Sequence, residues 1–214
     1  MSMTIIATPT TNENKPQNKG VASIHYGKNI SATVFIREKE DGSLTVVRPG
    51  YKTKDGDMVN FFGLKGEGSI KNMISDVLKA YEAKLAGAEN PAVEDIEVKD
   101  IEVMRVGVLK DSSANKKGLA SVKINDEFVI NNIDIVEGKN GMFIGFPHVF
   151  NKETKEEKDY VSVVGQVKKD IEQKVLEAYE KKVAKSKDTD TKEKESDFMG
   201  IPDGAEKEEG APNR

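Results

Sequence analysis

One short string occurs twice in this chain. Val77-Leu78, Ala80-Tyr81-Glu82 and Lys84 return 98 residues later as Val175-Leu176, Ala178-Tyr179-Glu180 and Lys182. Pro49 and Pro147 share that offset, as do Lys54 and Lys152, and the turn glycines Gly42 and Gly141 lie 99 apart. Two amphipathic helices can share a few residues by chance. A proline, a loop lysine and a helix that keep one register point instead to a repeated unit, and a repeat sets the domain count. The chain is therefore read as two diverged copies of one small strand-rich unit, each ending in a helix.

The local patterns fit that plan. Ala32, Val34 and Ile36 alternate with Thr33 and Phe35, the period of a strand. Asp41-Gly42 and Asp55-Gly56 are hairpin signals, and Met58 to Leu64 reads as one further strand. Ile70, Met73, Ile74, Val77, Tyr81 and Leu85 then form one helical stripe, with Ser69 as its cap. The second copy has strands at Ile101 to Val108 (interrupted at Arg105), Ala120 to Ile124, Phe128 to Val136, Met142 to Phe146 and Tyr160 to Val164. Ser112 to Gly118 reads as a polar, basic turn. Val167, Ile171, Val175, Tyr179 and Val183 mark the closing helix. The expected organisation is a flexible arm over 1–20, a first copy over 21–86, a linker over 87–95, a second copy over 96–185 and a disordered acidic tail over 186–214. The first copy shows no counterpart of Ile101–Gly118, so its sheet is expected to be shorter by a hairpin. The fold class is α+β: two sheet units, each closed by a C-terminal amphipathic helix, packed as a pseudo-two-fold pair.

Charge divides along the same lines. The whole chain carries a formal charge of -4, yet 21–86 and 101–187 are each +2, while 87–100 is -4 and 188–214 is -5. Both expected units are thus mildly basic, which leaves a polyanionic partner open. There are no cysteines, which excludes disulfides, thiolate zinc sites and cysteine nucleophiles. His25 and His148 stand alone, without ligand spacing. No run is apolar enough to span a bilayer, and the N-terminus lacks the pattern of a secretory signal. A cytoplasmic protein without cofactor or metal is expected. No nucleophile elbow, phosphate loop or metal motif is present, so no catalytic residues are assigned.

The stretch ASVKINDEFVINNIDIVEGKNGMFIGFP, Ala120 to Pro147, resembles the central block of the SpoVG family. The matching pieces are Asp126-Glu127-Phe128-Val129-Ile130, Val136-Glu137-Gly138 and Gly141-Met142-Phe143-Ile144-Gly145-Phe146-Pro147. The likeness covers Ile96 to Lys185; the first copy matches only weakly, at Pro49 to Asp57 (PGYKTKDGD), and is degenerate on this reading. The resemblance implies a small sheet with a helix packed on it, usually dimeric. It implies a non-enzymatic bacterial regulator of the septation and sporulation type that binds DNA or RNA. In the family the start of the closing helix selects the target, which here corresponds to Gln166, Lys168, Lys169, Gln173 and Lys174. The family's usual polar start there is not reproduced, so sequence specificity is not carried over.

Lysines supply the binding candidates, because cations hold phosphates and release counterions. Lys168, Lys169 and Lys174 lie in the first turns of the second helix, Lys116 and Lys117 in the basic turn, and Lys123 on the strand after it. Tyr51 and Phe150, in loops beside lysines that include Lys52 and Lys54, are candidates for stacking on bases. Expected binding is salt-sensitive, with weak base preference. The alternative is a protein-interaction module that works through its sheet edges or through the acidic tail, where Asp197 to Gly204 (DFMGIPDG) forms an apolar island. A homodimer is compatible with either.

Overall fold

A computed structural model describes residues 3–11, 15–66, 69–109, 115–150, 155 and 157–188. The acidic tail from residue 189, including Asp197 to Gly204, lies outside them, as does Lys152. The first half runs β1 (Thr4–Pro9), β2 (Asn18–Tyr26), β3 (Ile30–Glu38), β4 (Leu44–Val47), β5 (Gly50–Lys52), β6 (Met58–Asn60), β7 (Phe62–Leu64) and α1 (Ser69–Leu85). The second runs β8 (Ile101–Val108), β9 (Lys116–Ile124), β10 (Phe128–Gly138), β11 (Gly141–Gly145), β12 (His148–Phe150), β13 (Glu157–Asp159), β14 (Val161–Val163) and α2 (Gly165–Asp188). The fold is α+β, with two helices and antiparallel sheets.

Several expectations are corrected. Thr4–Pro9 is a strand, paired along its whole length with β2, so the arm expected over 1–20 is in part structural. Ala7 is buried; a six-residue strand with little alternation gives the sequence no strong signal. With β1 and β2 in place, the first sheet is not shorter by a hairpin. Lys116 and Lys117 open strand β9 and do not occupy a turn. Met58 to Leu64 is two strands split at Phe61, whose ring is buried. Tyr51 and Phe150 sit on strands β5 and β12. The α1 stripe buries Met73, Val77 and Tyr81, but Leu85 is exposed in the last turn. That helix ends at Gly87 (φ 88), whose N–H donates to the Lys84 carbonyl while that of Ala88 donates to Ala83. This double bond satisfies carbonyls left open at a helix C-terminus, and it needs a residue without Cβ strain.

The sheets exchange strands. One has the order β1-β2-β3-β14, with β4 also on β3; the other has β11-β10-β9-β8, with β7 also on β10. β14 comes from the second half and β7 from the first, so each sheet holds a strand of the other half. A single cluster of buried side chains runs through both.

Contacts recur at the sequence offset. The Phe61 N–H donates to the Pro49 carbonyl and that of Tyr160 to Pro147, at 3.0 and 2.8 Å. The Phe61 carbonyl accepts from Asn131 and the Tyr160 carbonyl from Thr33, at 2.8 and 2.9 Å. Both bonds cross between halves, and the Phe61 and Tyr160 rings stack on each other at 5.4 Å. The Tyr81 hydroxyl donates to the Lys19 carbonyl and that of Tyr179 to Lys117. Each tyrosine ring lies over a strand glycine: a Cβ on Gly20 or Gly118 would come within 3.0 or 3.1 Å of it and closer still to a neighbouring carbonyl. The repeated Ala-Tyr-Glu string thus includes the residue that anchors each helix to its sheet.

Candidate functional site

Most of the expected lysines are already engaged. Lys123 is nearly buried, and its ammonium lies 2.6 Å from Glu102 and 2.7 Å from Asp126. Hydrogen bonds to Asp126 and then Glu102 raise its pKa. The same bond to Lys123, and a second to Lys65, hold the Asp126 carboxyl down at about 2. Lys116 pairs with Asp134 at 2.8 Å and Lys117 with Glu137 at 3.2 Å. Lys116 and Lys123 also sit at opposite ends of β9, roughly 23 Å apart for seven strand residues, so they do not form one phosphate cluster.

Helix α2 sorts its polar residues by face. Val167, Ile171 and Val175 are buried, and Lys174 leans back so that its ammonium donates to the Ile101 carbonyl at 2.8 Å. Gln166 donates to Asp170 and Gln173 to Glu177 along the helix surface. Lys168 and Lys169 remain exposed, with no carboxylate partner among the described residues. They stand in the first turn of α2, where the open N–H groups add partial positive charge. Here the structure offers two adjacent exposed cations.

A second group lies on the β5–β6 hairpin. Lys52 and Lys54 are exposed, while Tyr51 is half-buried with its ring 6.2 Å from Phe61. Burial pushes the Tyr51 phenol up, and the nearby Arg105 cation partly offsets this. Arg105 was not among the sequence candidates for binding. Its only sequence trace is the break in alternation on β8, which the structure shows as a register shift between Val103 and Arg105. Phe150 is exposed at the end of β12. Phe61 and Phe62 are core residues, and Phe146 is half-buried against the core. His148 is tied on both ring nitrogens, Nδ1 to the Phe146 carbonyl at 2.9 Å and Nε2 to Glu157 at 3.0 Å.

An open hollow of about 700 Å³ lies where residues 95–100 cross the β9–β10 turn. Asp95, Glu97, Asp100, Asp126 and Glu127 line it against a single cation, Lys99. Such a lining repels phosphates, so the hollow and the α2 lysines are different surfaces in kind. Among the described residues no group of side chains could hold a metal ion, and no helix is long and apolar enough to cross a membrane.

The second half is a small antiparallel sheet with one amphipathic helix packed on it, in which the Asp126-Glu127 turn and the start of that helix carry the distinctive side chains. The family model SpoVG matches residues 96–181, the same sheet and helix. The chain is 35% identical over 74 residues to "Putative septation protein SpoVG" of Clostridium beijerinckii, 34% of this chain and 80% of that protein. It is 36% identical over 80 residues to the protein of the same name in Clostridium botulinum strain Alaska E43, 36% of this chain and 87% of that one. A third, from Lachnospira eligens, is 38% identical over 66 residues, 30% of this chain and 74% of that protein. The chain belongs to the SpoVG family.

Proposed function

We propose that this protein is a nucleic-acid-binding regulator that acts by binding and not by catalysis, with Lys168 and Lys169 as its principal phosphate contacts. The exposure of these two lysines at a helix start, without carboxylate partners among the described residues, carries the reading. Lys52 and Lys54, with Tyr51 and the Arg105 cation near it, are a subsidiary contact. Lys116, Lys117 and Lys123 are structural ion-pair partners on this reading. Phe150 is the one exposed aromatic of the candidates and is assigned to base stacking. Backbone contacts dominate, so base preference is weak.

The relatives' name supports a role in septation. The recurring contacts support descent of both halves from one unit, with the first extending from Thr4 to Gly87. Docking of a partner strand on the terminal strand β8 is disfavoured: its Ile101 and Val106 carbonyls already accept from Lys174 and Lys182.

The test is a salt titration of binding to single-stranded DNA, duplex DNA and RNA. The two principal contacts contribute about -1.4 to -1.8 to the slope of log affinity against log salt, and the subsidiary lysines steepen it further. The double variant Lys168→Glu, Lys169→Glu flattens that slope and weakens binding to all three alike. Absence of binding to every one at about 50 mM salt, where phosphate contacts are strong, rejects the proposal.

A further inference from the structure

The two crossings between the halves are built from residues of different size and charge. At one, Phe128 of the second half lies between two rings of the first, Tyr26 at 5.5 Å and Phe62 at 5.8 Å. All three are fully or nearly fully buried. Beside them the half-buried Glu127 accepts the Tyr26 hydroxyl at 2.9 Å, and Asp126 takes the Lys65 ammonium at 2.5 Å. At the positions reached by the 98–99 offset, Ile30 stands for Phe128, Ile124 for Tyr26 and Val161 for Phe62, all buried. Asn29 stands for Glu127, Lys28 for Asp126 and Val164 for Lys65. One crossing is an aromatic stack with a hydroxyl–carboxylate bond and an ion pair. The other is aliphatic, with no ring stack or hydroxyl–carboxylate bond at the matching positions among the described residues, and its Lys28 pairs with Asp95 of the connecting segment and not across the crossing.

We propose that the face each half presents is a partner-selective docking surface, and that the partner it fits is the complementary half and not a second copy of itself. Two second halves would set each Phe128 against an isoleucine and a valine, leaving voids on both sides. Each Glu127 would face Ile124 and lose its donor, and a half-buried carboxylate without one is costly. Two first halves would lose the Phe128 ring from each stack and bring Lys65 against Lys28, like charges at a surface where a pair now stands. Selection therefore acts in both directions.

The full chain is the starting material. A protease site is inserted between residues 87 and 95, the folded protein is nicked, then unfolded and refolded, and the complexes are weighed by native mass spectrometry. Paired unlike halves are expected in excess over like pairs by about a hundredfold or more, from the loss of several buried ring contacts. The variant Tyr26→Ile, Phe62→Val gives the first half the second half's residues and brings the ratio to within about tenfold of random pairing. Tyr26→Phe keeps the ring and deletes only the hydroxyl; it is expected to lower the ratio by about tenfold. A random mixture from the unmutated chain, a failure of the halves to reassemble, or full selectivity in both variants overturns the proposal.

Discussion

Asp126 does three things at one position. It takes a left-handed backbone (φ 57), with Asn125 before it also left-handed (φ 50), which is what a tight turn between twisted strands requires. Its carboxylate bonds Lys123 within the second half and Lys65 from the first. Those bonds hold its pKa near 2 against an ordinary value of 3.8. The folded state thus binds this proton more weakly than the unfolded chain. The stabilisation is complete above the unfolded value and is lost as pH falls from about 4 through about 2. Urea unfolding midpoints measured between pH 2 and 5 should fall less steeply in Asp126→Asn than in the parent. An identical pH slope in both would rule out this carboxylate as a source of acid sensitivity. The same residue shows why the site was only half legible. Lys123 reads as an open cation because nothing in the local string reveals Glu102 across the strand pair; the exposure of Lys168 and Lys169 is legible because helix periodicity alone places them off the buried face.

At the level of elements, the helices and the long β3 strand follow from periodicity, because each buries one continuous face, while β10 keeps the period only on either side of a bulge at Asn131–Asn132. The short pieces do not. β7 and β14 are three residues each, and what makes them strands is pairing with β10 and β3 of the opposite half. β1 is defined the same way, by its register from Thr4↔His25 to Pro9↔Gly20. Gly20 shows how close that pairing is, since a Cβ there would lie 2.7 Å from the Thr8 carbonyl. Composition made 1–20 look like an arm, and an arm is dispensable. A strand is not: deleting residues 1–11 strips the first sheet of an edge strand, bares the β2 backbone and uncovers buried Ala22 and Ile24. We expect the shortened chain to lose about 2–4 kcal/mol, on the scale of large core truncations, read as a drop in melting temperature. An unchanged melting curve would return β1 to the status of an appendage.

At the scale of the molecule, strand exchange decides how the chain unfolds. Two separate domains on a linker would unfold independently, each with its own transition. Here β7 leaves the first half to complete the second sheet and β14 returns to complete the first, so neither sheet keeps all its strands if the other half opens. Phe62 is the sharpest probe of this coupling. Its backbone belongs to the first half, but it pairs with Ile130, and its ring stacks on Phe128 in the second. Phe62→Ala should cost about 3–5 kcal/mol, the usual cost for a buried ring. The loss should be shared. Amide hydrogen exchange that proceeds through global opening reports the same free energy in both sheets, so protection in β2–β3 and in β9–β10 should fall by equal amounts. Loss of protection confined to β9–β10 would mean that the halves open separately and that the exchanged strands do not bind them into one unit. The same coupling bears on binding: α2 carries Lys168 and Lys169, and it is anchored through Tyr179 to the sheet that β7 completes. The first half can therefore still set the affinity of the second, by fixing the sheet on which α2 rests.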